Sequence, residues 1–247
     1  MKVATWNVNG IRARHEQFAA FAAEHQPDVI CLQEIKAKLD QIPQTCSIEG
    51  YTCYWHGAGG YSGVALHIRR ELSEQVEYTH PAFDLETRIV QAQIEDTVFT
   101  SVYVPNGGKD FEAKIGFIHA LIAYAADLKA RGLRLVLCGD MNIARSDRDV
   151  HPKERKPRTI GQLPQERELF ERLLTEGGLV DVGRMLHPDA DDYFTWWAPW
   201  RNMRDRNIGW RLDYVLASEP LAKKAVSCPS YREIGTSDHA PVVATFA

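Results

Sequence analysis

The feature that most constrains this chain is a repeated stop: short apolar runs that end abruptly on an amide or a carboxylate. Lys2 to Trp6 gives way to Asn7-Val8-Asn9-Gly10, Asp28-Val29-Ile30-Cys31-Leu32 to Gln33-Glu34, and Leu133 to Cys138 to Gly139-Asp140-Met141-Asn142. Asp213 interrupts a further apolar run, Trp210-Arg211-Leu212-Asp213-Tyr214. Runs this short, rich in β-branched residues, read as buried strands. Polar side chains at the carboxyl ends of buried strands converge at the open edge of a sheet. Any one of these residues is as readily a turn former or a cap; their recurrence points to a shared site.

Helical spacing fills the intervals. Residues 13–25 place Phe18, Phe21, Ala22 and His25 on one face, and Pro27 ends the run. Phe111 to Arg131 aligns Ile115, Ile118, Ile122, Ala125 and Leu128, with Gly132 as a stop. Pro164 to Leu174 also reads as helix. Arg88–Ile94 and Val98–Val104 form a hairpin across Glu95-Asp96-Thr97, and strands are expected near 193–197, 212–217 and 241–246. Residues 145–165 read as a long polar surface loop. Helices and strands alternate early and hairpins follow, so mixed sheets are expected. The turn Asn7-x-Asn9 is echoed by Asp140-x-Asn142, which suggests two related halves facing each other across one site.

No linker interrupts the 247 residues, which are expected to form one domain, 1–247. A net charge of −4 excludes a wholesale polycation but not a local basic face. The five cysteines form no CxxC pair, so a reducing, cytoplasmic setting without disulfides is expected. No stretch nears the ~20 apolar residues of a membrane span, so no membrane partner is expected.

Three groups of residues could carry chemistry. Glu34, Asp140 and Asp213, with Asn7, Asn9 and Asn142, are hard oxygen donors that suit Mg²⁺ or Mn²⁺ rather than Zn²⁺. His239 follows Asp238 at the entry to the last apolar run, with Asp213 as its candidate orienting carboxylate. Phe194-Thr195-Trp196-Trp197, Trp200 and Trp210 interleave with Arg201, Arg204, Arg206 and Arg211. Such interleaving can stack bases or sugars and bind phosphates, or it can be a Trp-rich core edge with solvated charges. The segment 145–158 carries six Lys or Arg against three Asp or Glu, the usual sign of a solvated loop.

Together the segments TWNVNGIRA, PDVICLQEIK, GYSGVAL, VYVPNG, LVLCGDMNIA, LPQERELFERLL, YFTWW, GWRLDYVL and SDHAPV span essentially the whole chain. In this order they resemble the exonuclease III type of AP endonuclease, within the endonuclease/exonuclease/phosphatase superfamily. The resemblance is closer to the subgroup dominated by AP endonuclease activity. It implies a four-layer α/β sandwich, two packed mixed β-sheets flanked by helices. It implies a Mg²⁺-dependent monomer, with Mn²⁺ as a substitute, that hydrolyses the phosphodiester 5′ of abasic sites. Its partner would be double-stranded DNA with an abasic site or a 3′-blocked end, with 3′-phosphodiesterase or 3′→5′ exonuclease activity alongside. It also assigns roles. Glu34, Asn7, Asn9 and Asp238 would surround the metal. Asp140 and Asn142 would orient the attacking water, Tyr103 would touch the scissile phosphate, and His239 would pair with Asp213. Trp196, Trp210 and Leu212 would wall a pocket for a base-less sugar. Arg12, Lys36, Tyr61, Asn106 and Arg211 would contact DNA, with Met203 or Trp200 as a wedge. Asn9 stands where many members have Asp, which removes one charge from the metal shell. The alternatives are the same fold acting on a small or lipid phosphoester, and a DNA-binding protein without catalysis; the first lacks a use for the Trp pocket, the second for the retained catalytic groups.

Overall fold

The computed structural model describes residues 1–247. In chain order the strands are β1 (Lys2–Asn7), β2 (Val29–Gln33), β3 (Tyr51–His56), β4 (Val64–Arg69), β5 (Tyr78–Thr79), β6 (Ile89–Ile94), β7 (Thr97–Tyr103), β8 (Arg134–Asp140), β9 (Leu179–Asp181), β10 (Asp213–Ser218), β11 (Ala225–Ser227) and β12 (Val242–Phe246). The helices are α1 (Ile11–His25), α2 (Phe111–Ala130), α3 (Pro164–Gly177), α4 (Val182–Leu186) and α5 (Glu219–Ala222). None is long and apolar enough to cross a membrane.

The strands make two six-stranded sheets, ordered β11-β12-β1-β2-β4-β3 and β5-β6-β7-β8-β10-β9. Each holds one parallel pair, β1 with β2 and β7 with β8, and every other pairing is antiparallel. Parallel neighbours require a crossover, which α1 and α2 supply. The halves therefore correspond strand for strand: β1 with β7, β2 with β8, β4 with β10. The echo read in the sequence does point to related halves, but the matched turns are not equivalent. Asn7 ends the first strand of its parallel pair, whereas Asp140 ends the second.

The sheets pack face to face on a core that includes Val3, Val29, Cys31, Leu66, Val90, Phe99, Val136, Cys138 and Val215. Strand periodicity turns the alternate residues outward. Ile30 and Leu32 meet Phe18 and Phe21 of α1, while Leu135, Leu137 and Tyr214 meet α2 and α3 through Phe117, Leu121, Leu169 and Phe170. The order helix, sheet, sheet, helix is the four-layer sandwich. All five cysteines are free thiols, and Cys31, Cys138 and Cys228 pack as apolar groups between the sheets.

Two expectations need correction. Residues 193–197 form no strand; Trp196 makes only isolated bridges to Trp210 and His239. The 145–165 segment is not simply solvated, because it contains a short 3-10 turn, Asp147–Asp149, whose Asp149 is fully buried. The smaller differences are at ends: α3 runs on to Gly177, where Gly178 closes it in the left-handed region, and Thr97 already pairs with Ile94, leaving Glu95-Asp96 as the hairpin turn.

His67 of β4 is fully buried, with Phe18 and Trp55 edge-on at 5.3 and 4.8 Å between ring centroids, and neither ring nitrogen has a partner. Burial alone holds its pKa down to about 3. The unfolded chain then binds a proton that the folded chain refuses, so stability is complete above pH 6.5 and falls as the pH drops toward 3. Between pH 6.5 and 4 this one side chain should cost roughly 3 kcal/mol. In urea titrations, His67→Leu should lose about that much less stability than the wild type over the same window. Parallel losses in the two proteins would contradict it.

Candidate active site

Backbone register brings the polar strand ends together. In the second sheet Tyr103, Asp140 and Asp213 are direct neighbours on β7, β8 and β10. The tight approach of β8 to β7 depends on Gly139, where a Cβ would lie 1.8 Å from the Val102 carbonyl oxygen. In the first sheet Asn7 pairs with Gln33, so Asn7 and Glu34 lie at the same edge. Glu34 has a φ of 51°, a conformation that costs a side-chain-bearing residue free energy. It is held there by its carbonyl accepting from Gly10 N–H at 2.7 Å and by the following peptides bonding to Gly63 and Ser62. His239 arrives just before β12. Its N–H donates to Ser237 Oγ, which donates to the Asn7 carbonyl, and its own carbonyl accepts from Trp6 Nε1.

The side chains form one continuous network across both sheets. Asn7 Nδ2 donates to Asp140 Oδ2 at 2.9 Å and to Glu34 Oε1 at 3.2 Å. Tyr103 Oη donates to Glu34 Oε1 at 2.6 Å. Asp140 accepts the Asn142 backbone N–H at 2.9 Å, and Asn142 Nδ2 reaches both Asp140 and the Val104 carbonyl. Asn106 Nδ2 donates to Asn142 Oδ1. His239 Nδ1 lies 2.9 Å from Asp213 Oδ2, while Nε2 faces Asp140 Oδ2 at 3.8 Å. Asp238 accepts from Trp196 Nε1 and from Asn9 Nδ2.

The electrostatics follow from this crowding. Burial pushes Asp140 up to about 7; the charge of His239 works against that, and Asp213 and Glu34 add to it. His239 goes the other way: burial disfavours its charge, but Asp213 and Asp140 outweigh burial and lift it to about 10. Burial would raise Glu34 too, yet the bonds from Lys36 and Tyr103 and the charge of His239 leave it below its ordinary value. Burial and the Glu34 and Asp140 charges drive the Tyr103 hydroxyl far up, so it remains a donor. The site thus holds a cationic imidazole, a near-neutral base and a permanent carboxylate side by side.

The donor set can hold a hard divalent cation. The carboxylates and amide oxygens of Glu34, Asp140, Asp238, Asn7 and Asn9 are hard ligands, and one oxygen of Asp213 is buried without any partner. A cationic group is already accommodated there: Lys36 Nζ bridges Glu34 Oε2 and Asn9 Oδ1, both at 2.6 Å. The amide at position 9 also has a reason. Its nitrogen donates to Asp238 at 2.7 Å, where an aspartate would set two carboxylates against each other.

Beside the network lies a cleft of about 430 Å³, lined by Glu34, Tyr103, Asn142, Trp210, Leu212 and His239 among others. Trp196 and Trp210 meet edge to face at 5.6 Å, fixed by reciprocal backbone bonds between the two residues. Leu212 and Trp210 belong to one small apolar cluster.

This arrangement matches a known family over nearly its whole length. The model of the endonuclease/exonuclease/phosphatase family covers residues 4–239. The chain belongs to that family. It is 36% identical to an exodeoxyribonuclease of Bacillus subtilis, over 98% of each chain. Its structure is similar to that of the 3′ phosphatase NExo from Neisseria bound to a product DNA hairpin, with a TM-score of 0.90, 33% identity and coverage of 100% and 99% of the two chains. An AP endonuclease from Archaeoglobus fulgidus gives 0.89 and 30%, with coverage of 100% and 99%. The chain is therefore a hydrolytic nuclease of the exonuclease III type.

The structure gathers Asn7, Asn9, Glu34, Tyr103, Asn106, Asp140, Asn142, Asp213, Asp238 and His239 in one network, with Trp196, Trp210 and Leu212 beside it. Arg12 is exposed at the start of α1, and Tyr61 is exposed near the site. Arg211 needs correction as a DNA contact. It is 1% exposed and saturated by Asp149 and Asp181, with bonds of 2.7 to 2.8 Å. Met203 is likewise packed in a small core with Phe194, Trp197 and Ile208, which leaves the exposed Trp200 as the wedge candidate. Two groups escaped the sequence reading. Arg88 is buried between the rings of Tyr103 and Tyr61, 4.7 and 5.2 Å from their centroids. Lys114 is buried beneath Asn142, donating to its carbonyl at 2.8 Å. Neither lies at the carboxyl end of a strand, the signal that exposed most of the others.

Proposed function

We propose that this nuclease incises double-stranded DNA 5′ of abasic sites with Mg²⁺ and trims 3′-blocked ends, acting as a cytoplasmic monomer. The observation that supports it best is the juxtaposition of the Asp140–His239–Asp213 array with the apolar recess of Trp196, Trp210 and Leu212. Phosphodiester hydrolysis needs a positioned water, neutralised phosphate charge and a supported leaving oxygen. Asp140 is the group to orient and deprotonate the water, with Asn142 fixing its carboxylate. Protonated His239, held by Asp213, donates Nε2–H to a phosphate oxygen, and the Tyr103 hydroxyl is a second donor at the same edge. Glu34, with Asp238 and the amide oxygens of Asn7 and Asn9, would hold Mg²⁺, which offsets phosphate charge when bound. In this reading the recess takes a bare deoxyribose, with the rings of Trp196 and Trp210 set to exclude a base. An abasic nucleotide also has no base to unstack, so extruding it costs less.

The direct test is a 5′-labelled duplex with one abasic-site analogue, incubated with Mg²⁺ or with EDTA beside an undamaged duplex with a recessed 3′ end. A metal-dependent single cut at the analogue is expected. No cleavage of either duplex by folded protein would direct attention to small phosphate esters. Trp210→Ala should lower abasic-site incision at least ~10-fold more than 3′-end trimming, since only the first needs the recess. Equal losses would remove the pocket assignment.

A further inference from the structure

Lys114 and Glu166 form an ion pair in which both side chains are fully buried, directly beneath the cleft. Lys114 lies on α2 and Glu166 on α3, and their charged atoms are 2.5 Å apart. Buried pairs of this kind add little stability compared with a neutral, well-packed pair, so what this one touches is informative. Lys114 Nζ donates to the backbone carbonyls of Asn142 at 2.8 Å and Asn106 at 3.2 Å. Glu166 Oε1 is the ion-pair partner of the same nitrogen. Glu166 Oε2 accepts the backbone N–H groups of Gly161 at 2.6 Å and Leu163 at 3.1 Å.

Three loops of the cleft therefore hang on one ion pair. The first two carry Asn106 and Asn142, whose amides are bonded to each other. The third carries Gly161, which presses on the pocket: a Cβ there would meet the Trp210 ring at 3.1 Å and the Asn142 carbonyl at 3.2 Å. Asn142 itself holds a φ of 50°, in the left-handed region that Asn adopts more readily than most side-chain-bearing residues.

We propose that Lys114, paired with Glu166, is a positioning residue of the nuclease site. It fixes the backbone of Asn142 and Asn106 so that their amides face the phosphodiester, and through Gly161 it seats the turn against Trp210. This rests on the reading that Asn142 serves the reaction.

The test is a cycle built on Lys114→Met combined with Glu166→Gln. Methionine fills the volume without donors, and glutamine keeps the acceptor for Gly161 and Leu163. The double variant should melt within about 5 °C of the wild type, with kcat down at least ~10-fold and KM within ~3-fold. Combined with Asn142→Ala, it should lower kcat little further than Asn142→Ala alone, because both changes act through the same group. A merely structural pair would lower the melting temperature and leave kcat per folded molecule unchanged. Wild-type kcat in the folded double variant, or losses that simply multiply, would overturn the proposal. Wild-type turnover by Asn142→Ala would instead overturn the reading of the site. Should the Met/Gln variant fail to fold, Lys114→Gln with Glu166→Gln takes its place in the cycle, and the same outcomes support or overturn the proposal.

Discussion

Asp140→Asn should reduce turnover at least ~10²-fold while leaving DNA binding intact. Both oxygens of Asp140 are already engaged, Oδ2 by Asn7 and Asn142 and Oδ1 by the Asn142 N–H. An amide keeps the size but removes the base and sets an NH₂ against at least one of those donors. Near-wild-type turnover would take Asp140 out of the chemistry, and a collapse in melting temperature would show that its role is structural. The pH profile gives an independent reading. In the proposed mechanism Asp140 acts only when deprotonated, and it is pushed up to about 7, so kcat/KM should rise with pH through that region, at lower pH once a cation is bound beside it. In the same mechanism His239 acts only when protonated, and it is raised to about 10, so the rate should fall again as that proton leaves. Because the Asp213 carboxylate lifts His239 and also adds to the upward push on Asp140, Asp213→Asn should shift both limbs to lower pH, the alkaline limb through His239 and the acid limb through Asp140. An unmoved alkaline limb would contradict the pairing.

Arg211→Ala should be severe for a different reason. The guanidinium is fully desolvated, donates to Asp149 and Asp181, and lies 4.4 Å from the centroid of the Tyr214 ring. Removing it leaves two buried carboxylates with only Arg184 and Arg145 to balance them. Breaking a buried pair in this way costs about 3–5 kcal/mol. For a chain of this size that is about 6–20 °C in melting temperature. The salt dependence of DNA binding separates the two roles assigned to this arginine. A phosphate contact would reduce the slope by about one on removal, whereas a structural arginine leaves the slope unchanged in the protein that still folds. A stable variant with a shallower slope would restore Arg211 to the DNA interface.

These residues also show what was legible in the sequence. Asn7, Glu34, Asp140 and Asp213 stood out because a polar group that ends an apolar run has few structural reasons to be there. The helices were visible because α2 keeps Ile118, Ile122 and Ala125 on one face. Arg211 misled because its neighbours, Trp210 and Leu212, do line the cleft, while the carboxylates that bury it lie 62 and 30 residues away. Lys114 escaped notice because nothing local sets it apart from the other polar residues of α2, and only the packing of α2 on α3 brings Glu166 to it. The run Phe194-Thr195-Trp196-Trp197 has strand-like composition, but Thr195 Oγ1 is spent on the N–H groups of Leu212 and Asp213, and the segment follows the cleft instead of a ladder.

The last strand lies against the first, with Lys2 opposite Thr245 and the amino-terminal nitrogen on the Phe246 carbonyl. During synthesis β1 therefore emerges early but waits for residues 242–246 to gain this neighbour, and His239 emerges only just before them. A ribosome stalled upstream of residue 239 holds a chain that carries Glu34 and Asp140 but neither the imidazole nor the strand that seats it. The topology thus ties the site to a pairing of distant segments: residues 2–7 and 242–246 must meet before His239 is seated beside Asp140.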